Sequence, residues 1–191
     1  MKLSNLTTIA GVVGAVLVLV LPSAGRGGAY PDRPPPAHTG GFGEPTCAQC
    51  HFGSPPNAPG GRLAVDGVPD AYRPGERYRL TVRVEKPELG GGGFQLSARS
   101  ADGAQAGSLR AVDGRAQVVA GRGGVQYAGH TEEGVASGGE ARMAWEVEWT
   151  APERASGPIV VHAAANASNG DASSLGDFVY TLELTSRAGP R

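Results

Sequence analysis

Short runs of apolar and polar residues in strict alternation constrain this chain more than any other feature of its sequence. In YRLTVRVE, Tyr78, Leu80, Val82 and Val84 project one way while Arg79, Thr81, Arg83 and Glu85 project the other. That two-residue period belongs to a β-strand with one face buried. It recurs in GFQLSAR (Phe94, Leu96, Ala98), in ARMAWEVEWT (Met143, Trp145, Val147, Trp149) and in DFVYTLELT (Phe178, Tyr180, Leu182, Leu184). GSLRAV, AQVVAG, VQYAG and PIVVHAAA are weaker candidates, each bounded by Gly, Asp, Asn or Pro. Short strands with turn signals between them, and no helical period after the N-terminal apolar run, predict an all-β chain built as an antiparallel β-sandwich.

The chain divides around that pattern. Residues 1–29 read MKLSN, then LTTIAGVVGAVLVLVLP, then SAGRGGA, the basic start, apolar run and small-residue exit of a signal peptide. The apolar core from Ile9 to Leu21 is shorter than the roughly 20 residues a membrane helix needs, and cleavage is expected after Gly25 or Ala29. Residues 30–71 form a Pro/Gly-rich arm, 72–186 the β-sandwich and 187–191 a short polar tail. No cysteine follows the apolar run to be lipidated, and the tail TSRAGPR adds no second hydrophobic segment, so a periplasmic or secreted protein without a membrane anchor is expected. Lys+Arg number 17 against 18 Asp+Glu, a balance with no electrostatic footprint for nucleic acid.

Both cysteines lie in EPTCAQCHFG, three apart, with His51 directly after the second. Covalent c-type haem meets that spacing: Cys47 and Cys50 would each add to one vinyl group of the porphyrin, and His51 would bind iron beneath the attached edge. Other chemistries compete. Zinc needs four ligands, and no second Cys or His pair is present. A redox dithiol belongs at a helix start in a βαβ setting, not in a Pro/Gly arm. A Cys47–Cys50 disulfide without cofactor suits an oxidising compartment.

The iron's other face has four candidate ligands. Met143 shares a strand face with Trp145 and Trp149 and reads as core. His38 lies in the arm with nothing to hold it, and His162 sits in PIVVHAAA on the face of Val160 and Ala164. His130 ends the VQYAG run and opens the polar loop TEEGVASGGE, a strand-end position from which a side chain reaches a docked group. It is the expected metal ligand opposite His51.

Three other strings carry weaker signals. ELGGGGF lacks the Lys and the following helix of a phosphate cradle and reads as a hairpin turn. Asn166, Asn169, Asp171 and Asp177 collect oxygen ligands of the kind calcium uses, but their spacing fits Asx-type turns better than an EF-hand. Ser97 and Ser173 have neither an elbow motif nor a base, so no catalytic triad is legible.

The run from AYRPGERYRLTV through GGFQLSARSADGAQAGSL, YAGHT, WTAP and HAAANASNGDASSLGDFVYT resembles the Reeler (reelin N-terminal-like) domain, and in particular the bacterial exported proteins called choice-of-anchor V. The likeness spans about Pro36 to Leu184 and includes the upstream TG-x-x-GE-x-x-C-x-x-C-H pattern, here TGGFGEPTCAQCH. It implies a β-sandwich and an aromatic-x-x-His-Thr stretch matched by Tyr127, His130 and Thr131. Proteins of that group often end in a membrane or sorting anchor, which is not expected here, and His162 stands where an aromatic or apolar residue is expected. The combined expectation is an exported monohaem c-type protein with one covalent haem c, passing electrons to an unidentified redox protein or quinone-linked chain, or sensing redox state. A haem-free interaction module with a Cys47–Cys50 disulfide is the alternative, and an enzyme with an open haem site a third class.

Overall fold

The structure is a computed structural model that describes residues 30–155 and 157–190; the expected signal peptide lies outside the described residues. Among them eleven strands form: β1 (Phe52–Gly53), β2 (Arg62–Asp66), β3 (Ala71–Tyr72), β4 (Arg77–Glu85), β5 (Gly91–Ser100), β6 (Ser108–Ala111), β7 (Ala116–Ala120), β8 (Gln126–His130), β9 (Arg142–Thr150), β10 (Ile159–Ser168) and β11 (Leu175–Ala188). They build two facing sheets. The larger runs β1-β11-β10-β5-β8-β7, with β3 also on β11, and the smaller runs β2-β4-β9-β6. The long pairings are antiparallel, and only the two-residue strands β1 and β3 run parallel to their partner. The fold is therefore an antiparallel β-sandwich, and each of the runs expected to form a strand does so.

The core lies where the alternation puts it. Trp145, Val147 and Trp149 on β9 and Leu80, Val82 and Val84 on β4 are buried from the smaller sheet, against Phe94, Leu96, Val161 and Ala163 from the larger. The Phe94 and Trp145 rings lie 4.8 Å apart, and the Trp149 ring stacks on Tyr78 at 5.5 Å. Each indole N–H is satisfied, Trp145 donating to the Gly134 carbonyl at 2.9 Å and Trp149 to that of Ala106 at 3.0 Å, as buried tryptophans require. On β10 the inward positions 163, 165 and 167 are alanine, and their small volume admits the larger rings around them at core density.

Two features differ from the sequence expectation. Strands β1 and β2 and the first residue of β3 fall inside the stretch read as arm; β1 and β3 have two residues each, and β2 offers only Leu63 and Val65 as an alternating pair. The glycine run is not a hairpin turn, because Gly91–Gly93 begin β5. Glycine is required there for approach: a Cβ on Gly92 would stand 2.6 Å from the Asn166 carbonyl, one on Gly91 2.8 Å from that of Val135, and one on Gly93 would run into the His130 ring.

The outer faces of the two sheets are unlike. On the smaller sheet, exposed pairs such as Arg79–Glu146 at 2.9 Å and Arg62–Glu85 at 2.7 Å face solvent. On the larger sheet, Gln95, Ser97, Arg99, Asn166 and Asp177 are buried although they point away from the core. The segment from Tyr30 to Gly61 covers them.

Candidate cofactor site

Polar anchors hold the arm on that face. Gln95 accepts from the His38 backbone N–H at 2.6 Å and donates to the Pro35 carbonyl at 2.8 Å. Arg99 pairs with Glu44, and both meet the Tyr127 hydroxyl, at 2.5 Å each. Asn57 bonds Thr181 through both its amide groups, at 2.9 and 2.8 Å. Burial raises the Glu44 carboxyl, but hydrogen bonds from Arg99, Thr39 and Tyr127 outweigh it and leave the group below its ordinary value. The TG-x-x-GE stretch thus has a physical basis: Thr39 Oγ1 donates to Glu44 at 2.6 Å across a loop that turns on Gly40, at φ 80°.

Directly after this loop, Thr46 caps a single 3-10 turn at Cys47–Gln49 by accepting from the Ala48 N–H at 3.1 Å. The Cys50 and His51 N–H groups both return to the Cys47 carbonyl, at 3.1 and 2.9 Å. The turn gathers Cys47, Cys50 and His51 on one wall of a cavity of about 400 Å³, with His38, His130 and Tyr30 also lining it. That volume falls within the range of cofactor and small-molecule sites. The remaining lining is largely apolar, with Pro31, Pro34, Pro35, Phe94 and Val135.

His51 is oriented by a buried carboxylate. Its Nδ1 lies 2.6 Å from Asp177 Oδ2, and the Asp177 side chain has no solvent exposure. A carboxylate only accepts, so the 2.6 Å contact places the proton of the neutral ring on Nδ1, where Asn166 Nδ2 also approaches to 3.0 Å; Nε2 then keeps its lone pair, which no described residue engages. Asp177 is held in turn by Asn166 Nδ2 at 3.3 Å and by the Asn169 N–H at 3.2 Å. Burial raises the Asp177 carboxyl, and hydrogen bonds from His51, the Asn169 backbone and Asn166 more than reverse this, so it stays ionised well below neutral pH.

Both thiols are free. Cys47 is half-buried as a residue, yet burial of the thiol pushes it up to about 12. A redox dithiol works through a thiolate of lowered pKa, the opposite condition. Among the described residues, no group of three or more His, Cys, Asp or Glu is arranged to hold a metal ion.

The other candidate ligands are placed differently. His130 faces the cavity, but both its nitrogens are engaged: Nδ1 with the Phe94 N–H at 3.1 Å and Nε2 with the Tyr30 carbonyl at 3.0 Å. Burial, and to a smaller extent the neighbouring His51, keep it below its ordinary value and hence neutral. His38 reaches Gln49 Oε1 through Nε2 at 2.6 Å. His162 is outside the cavity, edge-on to Phe42 at 5.2 Å and bonded to Glu183 at 2.9 Å. Met143 is buried in the core, on the other side of the larger sheet. In the 166–177 stretch, Asp171 Oδ1 accepts from the Ser173 N–H at 2.8 Å and Asn169 Oδ1 from the Asp171 N–H at 3.2 Å, which are Asx-type turns. Asp177 instead serves His51, a role its sequence surroundings do not signal across 126 residues.

The arm-covered sandwich can be set beside known proteins. No family model matches the chain, and no curated protein matches it in sequence. Among solved structures it is similar to the Reelin-N domain of F-spondin, 20% identical, covering 75% of this chain and 96% of that one, with a TM-score of 0.49. It is similar to a human F-spondin reeler domain at 20% identity, covering 73% and 94% of the two chains with a TM-score of 0.49. A cohesin module from a Clostridium perfringens family 33 glycoside hydrolase is 13% identical and covers 69% and 98%, at a TM-score of 0.44.

Proposed function

We propose that this chain is an exported single-haem protein of the c type that works in electron transfer or redox sensing, in the periplasm or outside the cell. The observation that carries this reading is the tautomer of His51: Asp177 holds Nδ1–H at 2.6 Å and leaves the Nε2 lone pair free, beside two free thiols on one cavity wall. A histidine that ligates metal characteristically gives its other N–H to a carboxylate or carbonyl, which fixes the ring and strengthens the donor nitrogen. Bound through Cys47 and Cys50, haem would supply a one-electron iron couple. The chain's own residues would do the rest. Asp177 and Asn166 would fix the ring plane of His51, and the prolines and Val135 would exclude water. Exclusion of water and the charge of Asp177 both act on the potential.

The test is export of the full chain with an active haem-maturation system. Thioethers survive denaturation, so unfolded, acid-extracted protein should retain one haem by mass, and Cys47→Ala with Cys50→Ala should lose it while keeping the sandwich folded. Recovery of apo-protein alone would end the haem reading and return the chain to the class of extracellular interaction modules.

A further inference from the structure

We propose that the α-amino group of Tyr30, freed by signal cleavage after Ala29, is the second protein ligand of the iron, and that His130 is the residue that positions it; the inference rests on the haem reading above. The Phe94 N–H donates to His130 Nδ1 at 3.1 Å, so Nε2 carries the proton and donates to the Tyr30 carbonyl at 3.0 Å. In that tautomer His130 has no lone pair left for a metal. Its hold is on Tyr30, 100 residues away in sequence and on the wall of the same cavity as Cys47, Cys50 and His51.

The start of the mature chain is anchored further. Gln117 Nε2 donates to the Asp32 carbonyl at 2.5 Å, and Gln95 Nε2 to that of Pro35 at 2.8 Å. Three side chains from three strands of the larger sheet therefore fix separate points of a six-residue segment that makes no strand of its own. Pro31 restricts the backbone of Tyr30 to extended conformations, and the prolines at 34–36 stiffen the next stretch of the arm, so little entropy is lost in holding the terminus. The contact at Pro35 also satisfies the buried Gln95 amide, whereas those at Tyr30 and Asp32 fix the first residues of the segment. An unprotonated primary amine is a nitrogen donor of the class that suits iron, as imidazole is. The small-residue exit SAGRGGA directly before Tyr30 suits cleavage at that bond.

The experiment uses the full chain, exported with the maturation system. The expected product begins at Tyr30 by N-terminal sequencing, carries one haem and gives a low-spin ferric spectrum. Once Lys2 has left with the signal, Lys86 is the one other amine. An amine-reactive reagent should therefore label Lys86, with N-terminal labelling lost relative to the haem-free Cys47→Ala/Cys50→Ala protein. Inserting one alanine between Ala29 and Tyr30 displaces the amine by about 3.8 Å along the chain and should convert the spectrum to high spin. A low-spin spectrum that survives the insertion, or an N-terminus labelled as readily with haem as without, overturns the inference and leaves the haem reading standing. Loss of low spin in His130→Ala but not on insertion would make His130 itself the ligand, and loss in Tyr30→Phe but not on insertion would make it the phenol. A high-spin wild type also overturns it, and absence of covalent haem overturns both readings together.

Discussion

The two faces of β5, in the middle of the larger sheet, are equally buried and held by different physics. Leu96 has 0% exposure on the inner face and its neighbour Gln95 has 1% on the outer. The inner face packs apolar side chains against the smaller sheet, where attraction is non-directional and scales with area. The outer face buries an amide, a guanidinium and a carboxylate, each costly unless its hydrogen bonds are met. The arm meets most of them, at Pro35, His38, Glu44 and His51. Ser97 Oγ stays buried without a partner among the described residues. A strand with clean alternation can thus be dry on both sides, and its polar side is where the site forms.

The comparison can be broken most strongly from the inner face. Trp149→Ala should cost about 3–5 kcal/mol, the usual range for a fully buried tryptophan, read as a lowered denaturation midpoint with sandwich and arm lost together. An unchanged midpoint would mean that β9 does not bury this face.

The outer face should respond less and more locally. Glu44→Gln removes a charge from the Arg99–Tyr127 anchor and should cost roughly 1.5–3 kcal/mol, the range for hydrogen bonds to charged groups. It should open residues 30–61 to protease before the sandwich unfolds. Acid should do the same. Glu44 and Asp177 both titrate below their ordinary values when folded, so the unfolded chain binds more protons. Their stabilisation is complete above about pH 5 and is lost as pH falls through the folded values. Arm release and sandwich unfolding at one common pH would remove the distinction between the faces.

The smallest effect belongs to the solvent-facing side of the smaller sheet. Arg79→Ala breaks the exposed pair with Glu146 and should change stability by less than about 1 kcal/mol, with no effect on arm proteolysis. A larger loss would show that this face is also covered.

Legibility followed the same division. The inner face could be read from Leu80, Val82, Trp145 and Trp149 because alternation is a local signal, repeated within each strand. Gln95, Arg99 and Asp177 carry the same alternation as any solvated strand face, so their burial left no local mark. The glycines at 91–93 were visible, but the carbonyls and the ring they must admit come from residues 130, 135 and 166, and a turn was the natural local reading. Cys47, Cys50 and His51 stood out by spacing alone.

By itself, then, the sequence determined the strands from β4 to β11, most of their inward residues and the grouping of two thiols with one histidine, since each depends on residues a few positions apart. Tertiary structure alone decided that the arm lies on the sheet, that Asp177 sets the tautomer of His51, and that His130 holds the Tyr30 carbonyl. Those last two contacts join positions 126 and 100 residues apart. A hydrogen bond is directional and short, so it is specified by where two strands and an arm come to rest, a property of the whole packing and of no segment within it.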